Sequence, residues 1–144
     1  MENLCQIKGL SCFGCCGNNY KSTKEIKEDI KKNTEEFSKY VSLEDFRDRA
    51  KNWDLNKSGV CRNIIEKNGK IFCPLHPSFC GTELRANHCD LNYMCKTFKE
   101  FLEWDDKKRK KFISFVKSKK LDRYKYSILM DSDKLLEEFN QATH

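Results

Sequence analysis

Three features of the sequence predict a small, mainly α-helical domain with cysteine-rich loops and one short β-hairpin. Apolar residues recur at three- and four-residue spacing through most of the chain, and glycines and cysteines collect between those stretches. Asn68-Gly69, flanked by Ile64-Ile65 and Ile71-Phe72, has the form of a tight hairpin turn. The 144 residues are read as a single domain, 1–144. Its parts are an N-terminal cysteine loop (1–20), a helical part (21–55), a second Cys/His segment (56–95) and a basic helical part (96–144).

In chain order, Gly9, Gly14 and Gly17 surround Cys12, Cys15 and Cys16, which predicts a tight turning loop. Ser22-Thr23-Lys24-Glu25 has the form of a capping box, with Glu25 placed to reach back to the Ser22 amide, and opens a helix from Thr23 to Tyr40. Ile26, Ile30, Phe37 and Val41 form its apolar face, while its Lys and Glu residues mark a solvated one. Ser42-Leu43-Glu44-Asp45 starts a second, shorter helix with Phe46, Ala50 and Trp53 inward. The hairpin then brings Cys61 and Cys73 together across two strands. A helix follows over Leu91–Trp104, with Leu91, Met94, Cys95, Phe98 and Leu102 inward. Asp105-Asp106 caps another over Lys107–Lys119, burying Phe112, Ile113, Phe115 and Val116. Tyr124–Met130, aromatic and partly β-branched, is expected to be a strand. Asp131-Ser132 introduces a last helix through Leu135, Leu136 and Phe139.

Hydrophobic residues make up 38% and charged residues 35%, a globular balance whose thin core leaves bound metal a share of the folding free energy. Nine cysteines are the chemical signature. The acidic start Met1-Glu2-Asn3-Leu4-Cys5 has neither the basic nor the apolar part of a signal peptide, and no stretch is apolar enough to span a bilayer. A cytoplasmic chain keeps its cysteines as thiols, and an odd number fits a closed disulfide framework poorly. Thiols so clustered point to metal.

Cys12-Phe13-Gly14-Cys15 has the two-residue spacing with which paired thiolates grip one ion, and Gly14 leaves the turn uncrowded. Cys16 follows directly. Neighbouring side chains diverge, so Cys15 and Cys16 are not equivalent ligands: one serves a second metal, binds another iron of a cluster, or points into the core. Cys73-Pro74-Leu75-His76-Pro77-Ser78-Phe79-Cys80 is a second compact set, stiffened by both prolines. With Cys61 it supplies four ligands for structural zinc. Cys12 or Cys16 with Cys61, Cys73 and Cys80 equally suits an iron–sulfur cluster. The candidate metal ligands are thus Cys12, Cys15, Cys16, Cys61, Cys73, His76, Cys80 and Cys89, with Zn2+ or an iron–sulfur cluster as cofactor. Cys5 reads as a small buried apolar residue. Cys95, on the apolar side of its helix, stands between that role and ligation. His88 divides evenly between ligand and surface roles, and His144 is terminal.

Cys12-Phe13-Gly14-Cys15-Cys16-Gly17, followed by Cys61, Cys73 and Pro77-Ser78-Phe79-Cys80, resembles the signature of the zinc- or iron-chelating CxxCxxCC family, the YkgJ-like proteins. The resemblance covers residues 12–80. It departs from the family pattern in three places: the first cysteine is absent or displaced to Cys5, the Cys73–Cys80 segment is short, and His76 replaces a customary Arg. It implies a metal or iron–sulfur site. For some larger relatives it implies a link to protein lysine methylation, which is not carried over because no methyl-donor fold is recognisable here.

The net charge of +6 specifies no partner. Lys107-Lys108-Arg109-Lys110-Lys111 opens a basic stretch over 107–125 that reads first as a solvated helix face. Its second reading is a weak nucleic-acid contact with Tyr124 and Tyr126 stacking on bases. Glycine-rich phosphate loops, Gly-x-Ser-x-Gly and His-Glu-x-x-His are absent from the sequence. The expected function is therefore metal binding. The alternatives are a metal-dependent or iron–sulfur enzyme acting on protein or RNA, and a zinc-stapled nucleic-acid adaptor.

Overall fold

The computed structural model describes residues 4–7, 10–49, 55–86 and 88–143. The fold is mainly α, 48% helical, with seven helices and two two-stranded sheets among the described residues. The chain forms two compact units, one of residues 1–15 and 94–144 and the other of residues 16–93.

In the 16–93 unit, helix α1 (Thr23–Phe37) opens on Ser22, whose hydroxyl accepts from the Glu25 amide at 3.2 Å and donates to Glu25 Oε1 at 3.0 Å. Such a cap is worth about 1 kcal/mol. Ile26 and Ile30 turn inward as their spacing requires, but Val41 is fully exposed because the helix ends at Phe37. Helix α2 (Leu43–Asp48) starts from the Ser42 cap and buries Phe46 edge-on to Phe37 at 5.0 Å. Ala50 and Trp53 lie outside the described residues.

The predicted hairpin is present as β3 (Ile65–Lys67) and β4 (Lys70–Phe72), paired Ile65↔Phe72 through Lys67↔Lys70. Asn68 and Gly69 both take positive φ, 53° and 76°, the turn whose twist matches the strands. Helix α1 packs on β3 over Ile64, Ile65 and Ile71. Asn33, wholly buried on α1, reaches the Asn56 side chain and the backbone oxygens of Cys61 (3.1 Å) and Ile64 (3.0 Å). A one-turn helix, α3 (Pro77–Cys80), follows the hairpin.

The other unit holds a second hairpin that the sequence reading missed, β1 (Gln6–Ile7) with β2 (Leu10–Ser11). Four helices accompany it: α4 (Lys96–Glu103), α5 (Asp106–Ser118), α6 (Arg123–Asp131) and α7 (Lys134–Ala142). Helix α4 begins five residues later than expected, at a Cys95 cap, and Leu91 is exposed outside it. Asp105 caps α5 as expected.

Tyr124–Met130 is helix, not strand. Asp122 accepts from the Lys125 amide at 2.8 Å, and helical winding sets Tyr126 and Met130 one turn apart, both facing the core. Tertiary packing here overrides the β-leaning composition. Helix α7 begins one residue after Asp133, at φ 64°, and buries Leu135, Leu136 and Phe139 as predicted. Phe101, Phe112, Trp104 and Phe139 form the aromatic centre, with Phe112 edge-on to Phe139 at 5.1 Å. Each buried phenylalanine stabilises the fold by roughly 1.5–3 kcal/mol. No helix among the described residues is long and apolar enough to cross a membrane.

Candidate metal centres

In the unit of 1–15 and 94–144, Cys5, Cys12, Cys15 and Cys95 line one cavity of about 20 Å³, with Leu4, Gly14, Phe98, Met130 and Asp131 completing its wall. Three pieces of local structure bring the four together. The β1–β2 ladder continues one step, so that the Cys12 amide donates to the Cys5 carbonyl at 2.8 Å and the two residues stand opposite each other. The turn after Cys12 carries Cys15 round, and the Gly14 N–H donates to Cys12 Sγ at 3.4 Å. Cys95 caps α4 and accepts from the Phe98 N–H at 3.4 Å.

The turn is docked on α6. Ser127 Oγ accepts from the Phe13 amide at 3.1 Å and lies 3.2 Å from the Ser11 carbonyl. The Tyr126 hydroxyl donates to the Leu4 carbonyl at 2.6 Å. A Cβ on Gly14 would stand 2.8 Å from the Ser127 carbonyl, so only glycine lets the turn sit this close.

Burial, then the neighbouring Cys15 and Cys95, push the Cys5 thiol up to about 12. Cys5 is exposed as a residue, but its place on the cavity wall is the better guide to its sulfur. Burial first and then Cys5 hold Cys12 well above the ordinary thiol range, partly opposed by the Gly14 amide. Cys95 is raised by burial, which outweighs the lowering by Phe98, and further by Cys15 and Asp133. Cys12 thus feels the other three sulfurs, Cys5 feels Cys15 and Cys95, and Cys95 feels Cys15. What opposes their ionisation is desolvation of negative charge and mutual repulsion, and a bound dication reverses both.

The 16–93 unit holds Cys16, Cys61, Cys73, Cys80 and Cys89. Cys61 donates its amide to the Cys16 carbonyl at 2.8 Å and accepts from the Asn63 N–H at 3.5 Å. Burial is the main cause pushing Cys73 up to about 12; the Leu75 amide opposes it, Cys61 and Cys89 add to it, and Arg85 lowers it.

Cys80 and His76 are placed differently. Cys80 Sγ lies 3.1 Å from the Thr82 carbonyl and 3.5 Å from that of His76. His76 Nδ1 accepts from the Ser78 amide at 3.0 Å as the cap of α3, and burial followed by Arg85 lowers its pKa. His88 Nε2 lies 3.9 Å from Asp48. His144 lies outside the described residues. Among the described residues, no three Cys, His, Asp or Glu side chains form a coordination group as they stand.

Cys5 and Cys95 are the residues that spacing did not select. Ile7-Lys8-Gly9-Leu10, a turn-like pair between apolar residues, was the available signal for a hairpin placing Cys5 opposite Cys12. Cys95 carried no comparable signal, since cysteine is not a customary cap. In the basic stretch, Tyr126 is fully buried and therefore not available to stack on a base, and Arg109 donates to the Phe101 carbonyl at 2.9 Å.

The chain matches no family model, no curated protein and no solved structure. The likeness to the CxxCxxCC proteins therefore rests on the motif residues alone.

Proposed function

We propose that this is a metal-binding protein in which Cys5, Cys12, Cys15 and Cys95 hold one thiophilic ion, zinc first among them, as a structural centre. One observation carries the reading: four thiols from three separate stretches of sequence line the same small cavity. Four soft ligands with no open position are the pattern of a structural zinc site. A void of about 20 Å³ suits one ion better than a four-iron cube. The backbone N–H groups on Cys12 and Cys95 favour thiolate, as sulfur ligands require. The sulfurs close on the ion when it binds, so binding and the last stage of folding are one event.

The test is anaerobic purification followed by metal analysis and an absorption spectrum. Colourless protein carrying zinc, with that zinc lost in Cys12→Ser and Cys95→Ser, is the expected result. Brown protein with broad visible absorbance would replace zinc by an iron–sulfur cluster. Protein that stays metal-free after zinc loading under reducing conditions would end the metal reading.

A further inference from the structure

The two hairpin-paired cysteines of the first centre have a counterpart elsewhere in the chain. In the first, Cys12 donates its amide to the carbonyl of Cys5 at 2.8 Å, and the residue two places on, Gly14, donates its N–H to Cys12 Sγ. In the 16–93 unit, Cys61 donates to the carbonyl of Cys16 at 2.8 Å, and Asn63, again two places on, donates to Cys61 Sγ. The register agrees. Gly17 pairs with Val60 in antiparallel fashion, which sets Cys16 opposite Cys61. Opposed residues of such a pair project from the same face, with Cβ atoms about 5 Å apart.

We propose that Cys16, Cys61, Cys73 and Cys89 bind a second thiophilic metal ion, with Arg85 beside the site as its counter-charge. The β3–β4 hairpin returns the chain so that Cys73 reaches the neighbourhood of Cys61, and Cys89 and Arg85 are near enough for their charges to act on the Cys73 thiol. The Leu75 N–H bonds to Cys73 from two residues on, the same relation that Gly14 has to Cys12 and Asn63 to Cys61. A four-thiolate zinc centre carries two negative charges in excess, and the Arg85 guanidinium, itself paired with the Glu83 carboxylate at 2.8 Å, lies on the side where that charge builds up. Cys80 is left out because its thiol is placed on the carbonyls of Leu75, His76 and Thr82.

The strand contact that holds Cys16 against Cys61 is built around glycine. Gly17 and Gly59 sit at φ 147° and 100°, and a Cβ on either would overlap the facing backbone, Gly59 O in one case and Asn18 O in the other. The adjacent thiols Cys15 and Cys16 thus go to different ions, as their diverging side chains require.

The test uses the full chain, anaerobic and fully reduced, titrated with zinc and separately with cobalt. Two ions per chain are expected for the unaltered protein. Cys73→Ser and Cys16→Ser should each bind one, and Cys80→Ser should still bind two. Cys73→His guards against simple misfolding: it should keep two ions while shifting the cobalt bands of one site. A single ion in the unaltered chain that Cys12→Ser loses and Cys73→Ser keeps, two ions retained in Cys73→Ser, or the same loss in Cys80→Ser as in Cys73→Ser would each overturn the second site. Loss of one ion in Cys73→Ser with none lost in Cys12→Ser would uphold this site and remove the first.

Discussion

Tyr126→Phe isolates the bond that ties the segment bearing Cys5 to the helical core. Tyr126 is fully buried, and its hydroxyl donates to the carbonyl of Leu4, itself fully buried, at 2.6 Å. Phenylalanine keeps the ring and its packing, so the loss is one hydrogen bond plus the cost of a buried carbonyl without its donor. That cost is about 1–3 kcal/mol. For a chain of this length it lowers Tm by about 2–12 °C, at about 2–4 °C for each kcal/mol. Urea unfolding of the metal-free protein should show a lower midpoint at unchanged slope, as expected when stability alone changes. Because Leu4 precedes Cys5, the zinc Kd of the first centre should rise as well. Tyr40→Phe, at an exposed position, is the control and should stay within about 0.5 kcal/mol. If Tyr126→Phe matched that control in both stability and zinc affinity, the anchoring role of this hydroxyl would be refuted.

Gly14→Ala places a methyl 2.8 Å from the Ser127 carbonyl and 3.2 Å from Asp131 Cβ, and should cost about 1–3 kcal/mol while weakening zinc retention, read by thermal melts and metal analysis. Asn33→Ala removes the donor shared among the Asn56 side chain and the backbone oxygens of Cys61 and Ile64. It should destabilise by about 2–5 kcal/mol in urea titration, and a change under 1 kcal/mol would contradict that role. In metal-free protein, Cys5 and Cys73 hold their protons more tightly folded than unfolded. The stability this gives is complete below the ordinary thiol value of 9.0 and is lost as pH rises toward about 12. The urea midpoint should therefore fall between pH 8 and pH 11 once metal is chelated, and a flat profile would count against buried thiols.

The helices were legible where local chemistry and tertiary packing agree. Ser22, Ser42 and Asp105 are caps by side-chain chemistry, and each appears as one. Asn68-Gly69 fixed its hairpin because few other residues tolerate two successive positive φ values. Tyr124–Met130 misled because its β-leaning residues serve a helix face whose partners, Leu4 and Ser11, lie more than a hundred residues away. The candidate centres were half legible for the same reason. Spacing exposes thiols close in sequence, such as Cys12 and Cys15, whereas Cys95 reaches the same cavity wall only through the tertiary fold. Cys5 was overlooked because its hairpin is only two residues per strand, too short for alternation to register.

The unit whose cavity Cys5, Cys12, Cys15 and Cys95 line is made from two separated stretches, residues 1–15 and 94–144, with the other unit inserted between them. Its closing contacts span sequence separations of 114 to 122 residues. During synthesis the inserted unit is complete while Cys5, Cys12 and Cys15 still await α6, the helix on which they dock. The segment that bears Cys5, Cys12 and Cys15 therefore stays undocked on the nascent chain until residues 123–131 emerge from the ribosome. A protein truncated before α6 keeps all nine cysteines and loses the helix on which the segment bearing Cys5, Cys12 and Cys15 docks, so premature termination leaves that segment without its anchor.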